Sequence, residues 1–80
     1  MIQTVLKRDG RVVGFNEEKI ATAIRKAMLH TDKGEDLQLI HQITDRISFK
    51  GDSQMTVEAI QDLVEVELMK SSRKDVAQKY

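Results

Sequence analysis

Two short runs of apolar residues lie on either side of a turn signal within the first fifteen positions. Asp9-Gly10 tolerates positive φ angles and is typical of a β-hairpin turn. The flanking apolar residues favour strands: Val5, Leu6, Val12, Val13 and Phe15. Because a two-stranded hairpin is not stable alone, we expect its apolar side to pack on helices.

Three segments with apolar residues at helical spacing follow. The first is capped by Asn16 and carries Ile20, Ile24, Ala27 and Met28. The second is predicted from about Glu35 and carries Leu37, Ile40, Ile43 and Ile47. The third is capped by Thr56 and carries Val57, Ile60, Val64 and Leu68. Each stripe predicts one buried helix face.

Shorter signals complete the pattern. Gln54-Met55 is predicted to add a short extended segment at the hairpin edge. Ser72 and Asp75 have capping-box spacing and predict the start of a fourth helix. The pattern runs to Tyr80 without a C-cap, so we expect the last helix to be truncated and the chain to be a fragment of a longer polypeptide.

Composition narrows the class of protein. The 80 residues suffice for one domain, and 13 basic residues balance 13 acidic ones. Because the chain contains no cysteine, disulfides and thiolate zinc ligands are excluded. No apolar run is long enough for a membrane span, and no signal peptide is evident. These features predict a cytoplasmic module.

Charge is unevenly distributed along the chain. Residues 1–26 carry six basic and three acidic side chains, so the remaining residues carry the opposite excess. Lys19 occupies the third helical position after Asn16, where a cation opposes the helix dipole. A bound polyphosphate would reverse that penalty, with Lys7 and Arg8 contributing from the hairpin. The alternative is a solvated basic face.

No catalytic constellation is evident, and the chain is not expected to be an enzyme by itself. His30 and His41 lack metal-ligand spacing, and the methionines at 28, 55 and 69 are expected to fill core gaps. With only three aromatic residues, base stacking has little support, which argues against a nucleic-acid partner.

The N-terminal motifs resemble the ATP-cone, a nucleotide-binding regulatory domain of ribonucleotide reductases and of a related bacterial transcriptional repressor. The resemblance covers nearly all 80 residues. It rests on Val5-Leu6-Lys7-Arg8-Asp9-Gly10-Arg11, Phe15-Asn16-Glu17-Glu18-Lys19-Ile20 and Ala23-Ile24, and on the later Val57-Glu58-Ala59-Ile60-Gln61.

The resemblance implies a single α+β domain over residues 1–80, with a four-helix bundle covered by a small three-stranded sheet that includes the hairpin. It also implies that ATP activates and dATP inhibits, each bound with Mg²⁺. The implied nucleotide-binding residues are Val5, Lys7, Arg8, Gly10, Asn16, Lys19, Ile20, Thr56, Ile60 and Gln61. Two departures from relatives are Val13, where some have Glu, and Val57, which gapless alignment places where others have Thr.

The final segment, Asp75 to Tyr80, looks most like that of an anaerobic (class III) ribonucleoside-triphosphate reductase. That resemblance implies the catalytic domain of such an enzyme as a partner and leaves homo-oligomers open, with no membrane partner. Two alternatives remain. A repressor would pair the cone with a cysteine-rich ribbon, which the start at Met1 and the lack of cysteine count against. A non-catalytic interaction module would use the basic hairpin to contact an acidic protein.

Overall fold

Three short strands and four helices make up the computed structural model, which describes residues 1–80. The strands are β1 (Thr4–Leu6), β2 (Val12–Gly14) and β3 (Gln54–Thr56). The helices are α1 (Glu17–Leu29), α2 (Leu37–Lys50), α3 (Val57–Lys70) and α4 (Lys74–Lys79). The chain is therefore a mainly helical α+β domain, as the sequence predicts. None of the four helices combines the length and apolar character of a transmembrane span.

The sheet is mixed, with strand order β2-β1-β3. Val5 in the central strand lies opposite Val13 of antiparallel β2 and opposite Met55 of parallel β3. The predicted extended segment at the edge is thereby confirmed. In the loop between β1 and β2, the backbone N–H of Gly10 donates to the carbonyl of Lys7 (3.0 Å). Gly10 alone in that loop adopts a positive φ, +89°, a conformation that glycine tolerates without a Cβ penalty.

The helices contact one another in a closed circuit: α1 packs on α2 and α4, and α3 packs on the same two helices. The most deeply buried side chains come from all four helices: Ile24, Met28, Ile43, Ile47, Val64, Leu68 and Val76. The predicted stripes of α1 and α3 are confirmed at these positions. The exceptions among the expected core residues are Leu37 and Met69, which are 56% and 53% exposed. Leu37 is the first residue of its helix.

Two predicted helix caps are confirmed, and the others differ. The Asn16 Oδ1 atom accepts the N–H of Glu18 (3.0 Å), and Thr56 Oγ1 accepts the N–H of Ala59 (3.1 Å). The second helix begins later than predicted, because Asp36 rather than Glu35 lies at its start and accepts the N–H of Leu39 (3.1 Å).

The predicted capping box between Ser72 and Asp75 is wrong. Arg73 is the residue before α4, and no side chain caps that helix. The Asp75 carboxylate is instead engaged by Arg73, whose Nε donates to Oδ1 (3.2 Å). A guanidinium two residues away outcompetes the backbone for this carboxylate, since charge-assisted hydrogen bonds are the stronger ones.

The N-terminal residues attach the sheet to the end of α2. The backbone N–H of Ile2 donates to the carbonyl of Ser48 (2.9 Å). The Ile2 side chain is buried and lies directly against Gly51, where a Cβ would collide with Ile2 and with Met55. This close approach fixes where the sheet covers the helices.

Candidate functional site

A cavity of about 290 Å³ opens between the sheet and the first turns of α1 and α3. Its volume lies near the lower end of the usual range for ligand pockets. Most of its lining is apolar and comes from both layers: Val5, Val13, Phe15, Ile20, Val57 and Ile60. The polar lining is smaller and is contributed by Lys7, Asn16, Lys19 and Gln61.

The two lysines of the cavity come from different elements. Val5 and Lys7 both line it, because residues two apart on a strand point to the same side. Lys19 comes from the first turn of α1, whose N-terminal end carries partial positive charge. Neither lysine has a carboxylate within ion-pair distance. The cavity thus joins apolar walls to two lysines that form no salt bridge, although Asp9 feels the charge of Lys7 at longer range.

The acidic residues that begin α1 do not line this cavity. Glu17 is directed toward α2, where its Oε2 accepts the hydroxyl of Ser48 (3.1 Å). Glu18 lies on the exposed side of the same turn. The lining contains neither Asp nor Glu, so an anion would meet no opposing carboxylate among its residues.

Seven of the ten predicted site residues line the cavity: Val5, Lys7, Asn16, Lys19, Ile20, Ile60 and Gln61. The other three lie outside it. The Arg8 guanidinium forms an ion pair with Glu58 on α3, although both side chains are largely exposed. Gly10 shapes the loop between β1 and β2, and Thr56 uses its hydroxyl to cap α3. Val57, which gapless alignment places where relatives have Thr, also lines the cavity.

Tyr80 is the main lining residue that the sequence did not assign to the site. It follows α4 and reaches the cavity that α1 and α3 enclose with the sheet. Burial raises the pKa of its phenol, and the negative charge of Glu65 raises the same pKa further. Its spacing from Val76 marks the inner face of a helix, but only the packing of α4 shows that this face reaches the cavity.

A second, more polar cavity of about 350 Å³ adjoins the first and shares Ala23, Gln61 and Tyr80 with it. Its other side chains include Lys79 and Glu65. Tyr80 and Gln61 therefore form part of the partition between two recesses. No group of three or more His, Cys, Asp or Glu side chains lies together in the chain as a metal-binding cluster.

Comparison with known proteins identifies the domain. A family described as the ATP cone domain matches residues 3–80. The chain belongs to the ATP cone family. It is similar to the vitamin B12-dependent ribonucleoside-diphosphate reductase of Thermoplasma acidophilum, at 44% identity over 73 residues. That match covers 89% of the ATP cone chain and 9% of the relative.

A second relative is the ribonucleoside-diphosphate reductase alpha subunit of Chlamydia pneumoniae, 34% identical over 90 residues. It matches 99% of this chain, which covers 9% of the relative. The alpha subunit of Chlamydia trachomatis is also 34% identical over 90 residues, with 96% and 9% covered. The ATP cone chain thus spans less than a tenth of the length of these relatives.

These matches correct one prediction. The expected parent, an anaerobic ribonucleoside-triphosphate reductase, is wrong, because the matching relatives are diphosphate reductases. The residues that prompted the prediction, Asp75 to Tyr80, lie within the matched ATP cone domain.

Proposed function

We propose that this ATP cone is a regulatory domain of a ribonucleotide reductase and binds ATP or dATP in the cavity between the sheet and the helices. ATP raises and dATP lowers the overall activity of the enzyme. One observation carries the assignment to this cavity: the unpaired Lys7 and Lys19 meet at an apolar recess beside a helix N-terminus.

The apolar walls suit the adenine ring. Val5, Val57 and Ile60 offer aliphatic surface, and Phe15 adds an aromatic face to the same lining. Gln61 supplies both a hydrogen-bond donor and an acceptor, as the edge of adenine requires. A guanine base presents a different pattern of donors and acceptors, so an amide oriented for adenine would not pair with guanine in the same orientation.

The triphosphate belongs at the basic end of the cavity. Lys19 and the first turn of α1 form one side, and Lys7 forms the other. Mg²⁺ fits this arrangement as a companion of the nucleotide, because it is commonly held by substrate phosphates and water. The lining itself contains no carboxylate to hold the ion.

Discrimination between ATP and dATP depends on one hydroxyl group. A buried polar group left without its hydrogen bond costs about 1–3 kcal/mol, which is enough for one effector to favour a different arrangement of the domain. A ligand shifts a conformational equilibrium only by its differential affinity for the two states. We infer that this difference alters how the cone docks on the catalytic domain or on a second copy of the enzyme.

The circuit of contacts among the four helices supports the four-helix bundle that the family resemblance implies. The sheet then covers one end of that bundle and supplies Val5 and Lys7 to the cavity. The named relatives favour a reductase over a transcriptional repressor as the parent protein.

The experiment is calorimetric titration of the 80-residue chain with ATP, dATP and GTP, each with Mg²⁺. We expect binding that prefers adenine nucleotides. Lys19→Ala should weaken it by about ten- to a hundredfold, because hydrogen bonds to charged groups contribute about 1.5–3 kcal/mol.

Lys70→Ala is the matched control, since it removes the same charge from an exposed lysine in the last turn of α3, outside the cavity. Equal losses in the two variants would show a nonspecific effect of net charge. Weak, salt-sensitive binding of all three nucleotides would instead favour the interaction module.

A further inference from the structure

Arg73 is a buried arginine in a domain whose other arginines lie at the surface. Its Nη2 atom donates to the carbonyl of Gly34 (2.8 Å) and to Thr31 Oγ1 (3.0 Å), both in the loop between α1 and α2. The same guanidinium engages the Asp75 carboxylate in the first turn of α4. One side chain therefore joins a distant loop to the start of the last helix.

The helix that Arg73 holds is weak by itself. It spans six residues, whereas isolated helices need roughly 12–15 residues even to be marginal in water. No side chain caps its start. Its position depends on the buried Val76 and on the hydrogen bonds of Arg73.

The other end of that helix reaches the nucleotide cavity. Tyr80 is bonded to the last turn of α4 through its backbone N–H, which donates to the carbonyl of Val76 (2.9 Å). Its side chain lines the cavity. A shift of α4 would therefore move this wall, while the walls contributed by the sheet and by α1 stay in place.

We propose that Arg73 is a positioning residue for the nucleotide cavity: by fixing α4 to the loop between α1 and α2, it holds Tyr80 in the cavity wall. This inference rests on the proposed nucleotide function. The same arrangement predicts that the loop between α1 and α2 and a ligand in the cavity affect each other, because both contact α4.

A double-mutant cycle on the 80-residue chain tests the role. Tyr80→Ala should weaken ATP binding by about tenfold, the upper scale of one aromatic contact. Arg73→Ala should weaken it to a similar degree. If Arg73 acts through Tyr80, the double variant should also lose about tenfold, whereas independent effects would multiply to about a hundredfold.

A second readout follows Tyr80 directly. It is the one tyrosine of a chain without tryptophan, so tyrosine fluorescence reports on this residue alone. ATP should change that fluorescence in the wild type, and the change should be reduced in Arg73→Ala. Lys74→Ala, at an exposed neighbouring lysine, is the control and should keep the wild-type response.

Milder variants keep the test decisive if Arg73→Ala fails to fold. Arg73→Lys retains the charge but loses the planar fork that reaches both partners. Asp75→Asn removes the charge that engages Arg73 from α4. Both should reduce ATP affinity and the tyrosine response at temperatures where the variants remain folded.

The outcomes separate the two proposals. Two results would overturn the role of Arg73 and leave the nucleotide function standing, provided that the wild type binds adenine nucleotides selectively. One is a double variant whose loss is the product of the single losses. The other is wild-type ATP affinity in Arg73→Lys and Asp75→Asn. Absence of selective binding by the wild type would overturn both.

Discussion

Two charged regions of this small domain are organised in opposite ways. At the interface of α2 and α3, the buried Glu67 carboxylate accepts from Lys50 Nζ (2.8 Å) and lies 3.6 Å from an Arg46 nitrogen. At the sheet end, Lys7 and Lys19 line an open cavity and form no salt bridge. In the first region, a buried carboxylate is paired with cations of the protein. In the second, two lysines remain available to a bound anion.

The difference teaches how to separate stability from binding in this fold. A buried carboxylate is retained because its partners offset the cost of removing it from water. An unpaired cation near a helix N-terminus is locally unfavourable and gains a partner only when an anion binds. Substitutions in the two regions should therefore affect different measurements.

The largest effect on stability is expected at the paired region. Glu67→Gln should lower the free energy of unfolding by about 1–3 kcal/mol, because it removes a charge-assisted hydrogen bond and leaves a buried amide imperfectly paired. ATP affinity should stay unchanged. Urea unfolding measures the first quantity and calorimetry the second. Asp62→Asn, an exposed change on the same helix, is the control.

The effect of Glu67→Gln should also depend on pH. The hydrogen bond from Lys50 holds the pKa of the Glu67 carboxyl below its ordinary value of 4.5. A lowered folded-state pKa contributes stability that is complete above the ordinary value and is lost as pH falls through the folded value. The gap between wild type and variant should therefore shrink below pH 4.5; a gap that stays constant would contradict this origin.

A smaller change of opposite sign is expected at the cavity. Lys19→Glu places an acidic side chain at the third helical position, where it can complete the capping box with Asn16. The unliganded protein should become more stable by about 0.3–1 kcal/mol, while ATP binding is lost. Thermal unfolding measures the change in stability, and calorimetric titration measures the loss of ATP binding. Lys26→Glu, in the last turn of α1, is the control and should not be stabilising, since an anion is unfavourable there.

Lys19, a cation at an unfavourable position near a helix N-terminus, shows how much of the fold and site the sequence alone predicts. Apolar spacing predicted the stripes of α1 and α3, and cap chemistry predicted Asn16 and Thr56, because both signals act over one or two helical turns. Lys19 marked a candidate site because it broke a local rule. Local signals thus predicted most elements and one end of the cavity.

The remaining features depend on contacts between distant parts of the chain. Arg73 reaches Gly34 across 39 positions, and Arg8 reaches Glu58 across 50. The periodic spacing of apolar residues carries no information about pairs so far apart in the chain. Ser72 and Asp75 have the spacing of a capping box, but the Asp75 carboxylate instead accepts a hydrogen bond from the buried guanidinium of Arg73. Tyr80 likewise joins the cavity only because α4 packs against α1 and α3.

The smallest expected effect concerns the ion pair that the sequence did not predict. Arg8 lies next to Lys7 of the cavity, and its partner Glu58 lies next to Val57 of the opposite wall. A triphosphate that recruits Arg8 must displace Glu58. The pair is exposed, so its contribution to stability is small.

Glu58→Gln should therefore raise ATP affinity by a factor of about two to five, because an exposed ion pair is weak and easily displaced. The gain should disappear in an Arg8→Ala background and should decrease with added salt. Asp62→Asn removes an exposed carboxylate from the same helix without freeing Arg8, so it should not reproduce the Arg8-dependent gain. An equal gain with and without Arg8 would mean that Glu58 acts on the phosphates by general repulsion, and the sheet end would then hold two cations for the ligand rather than three.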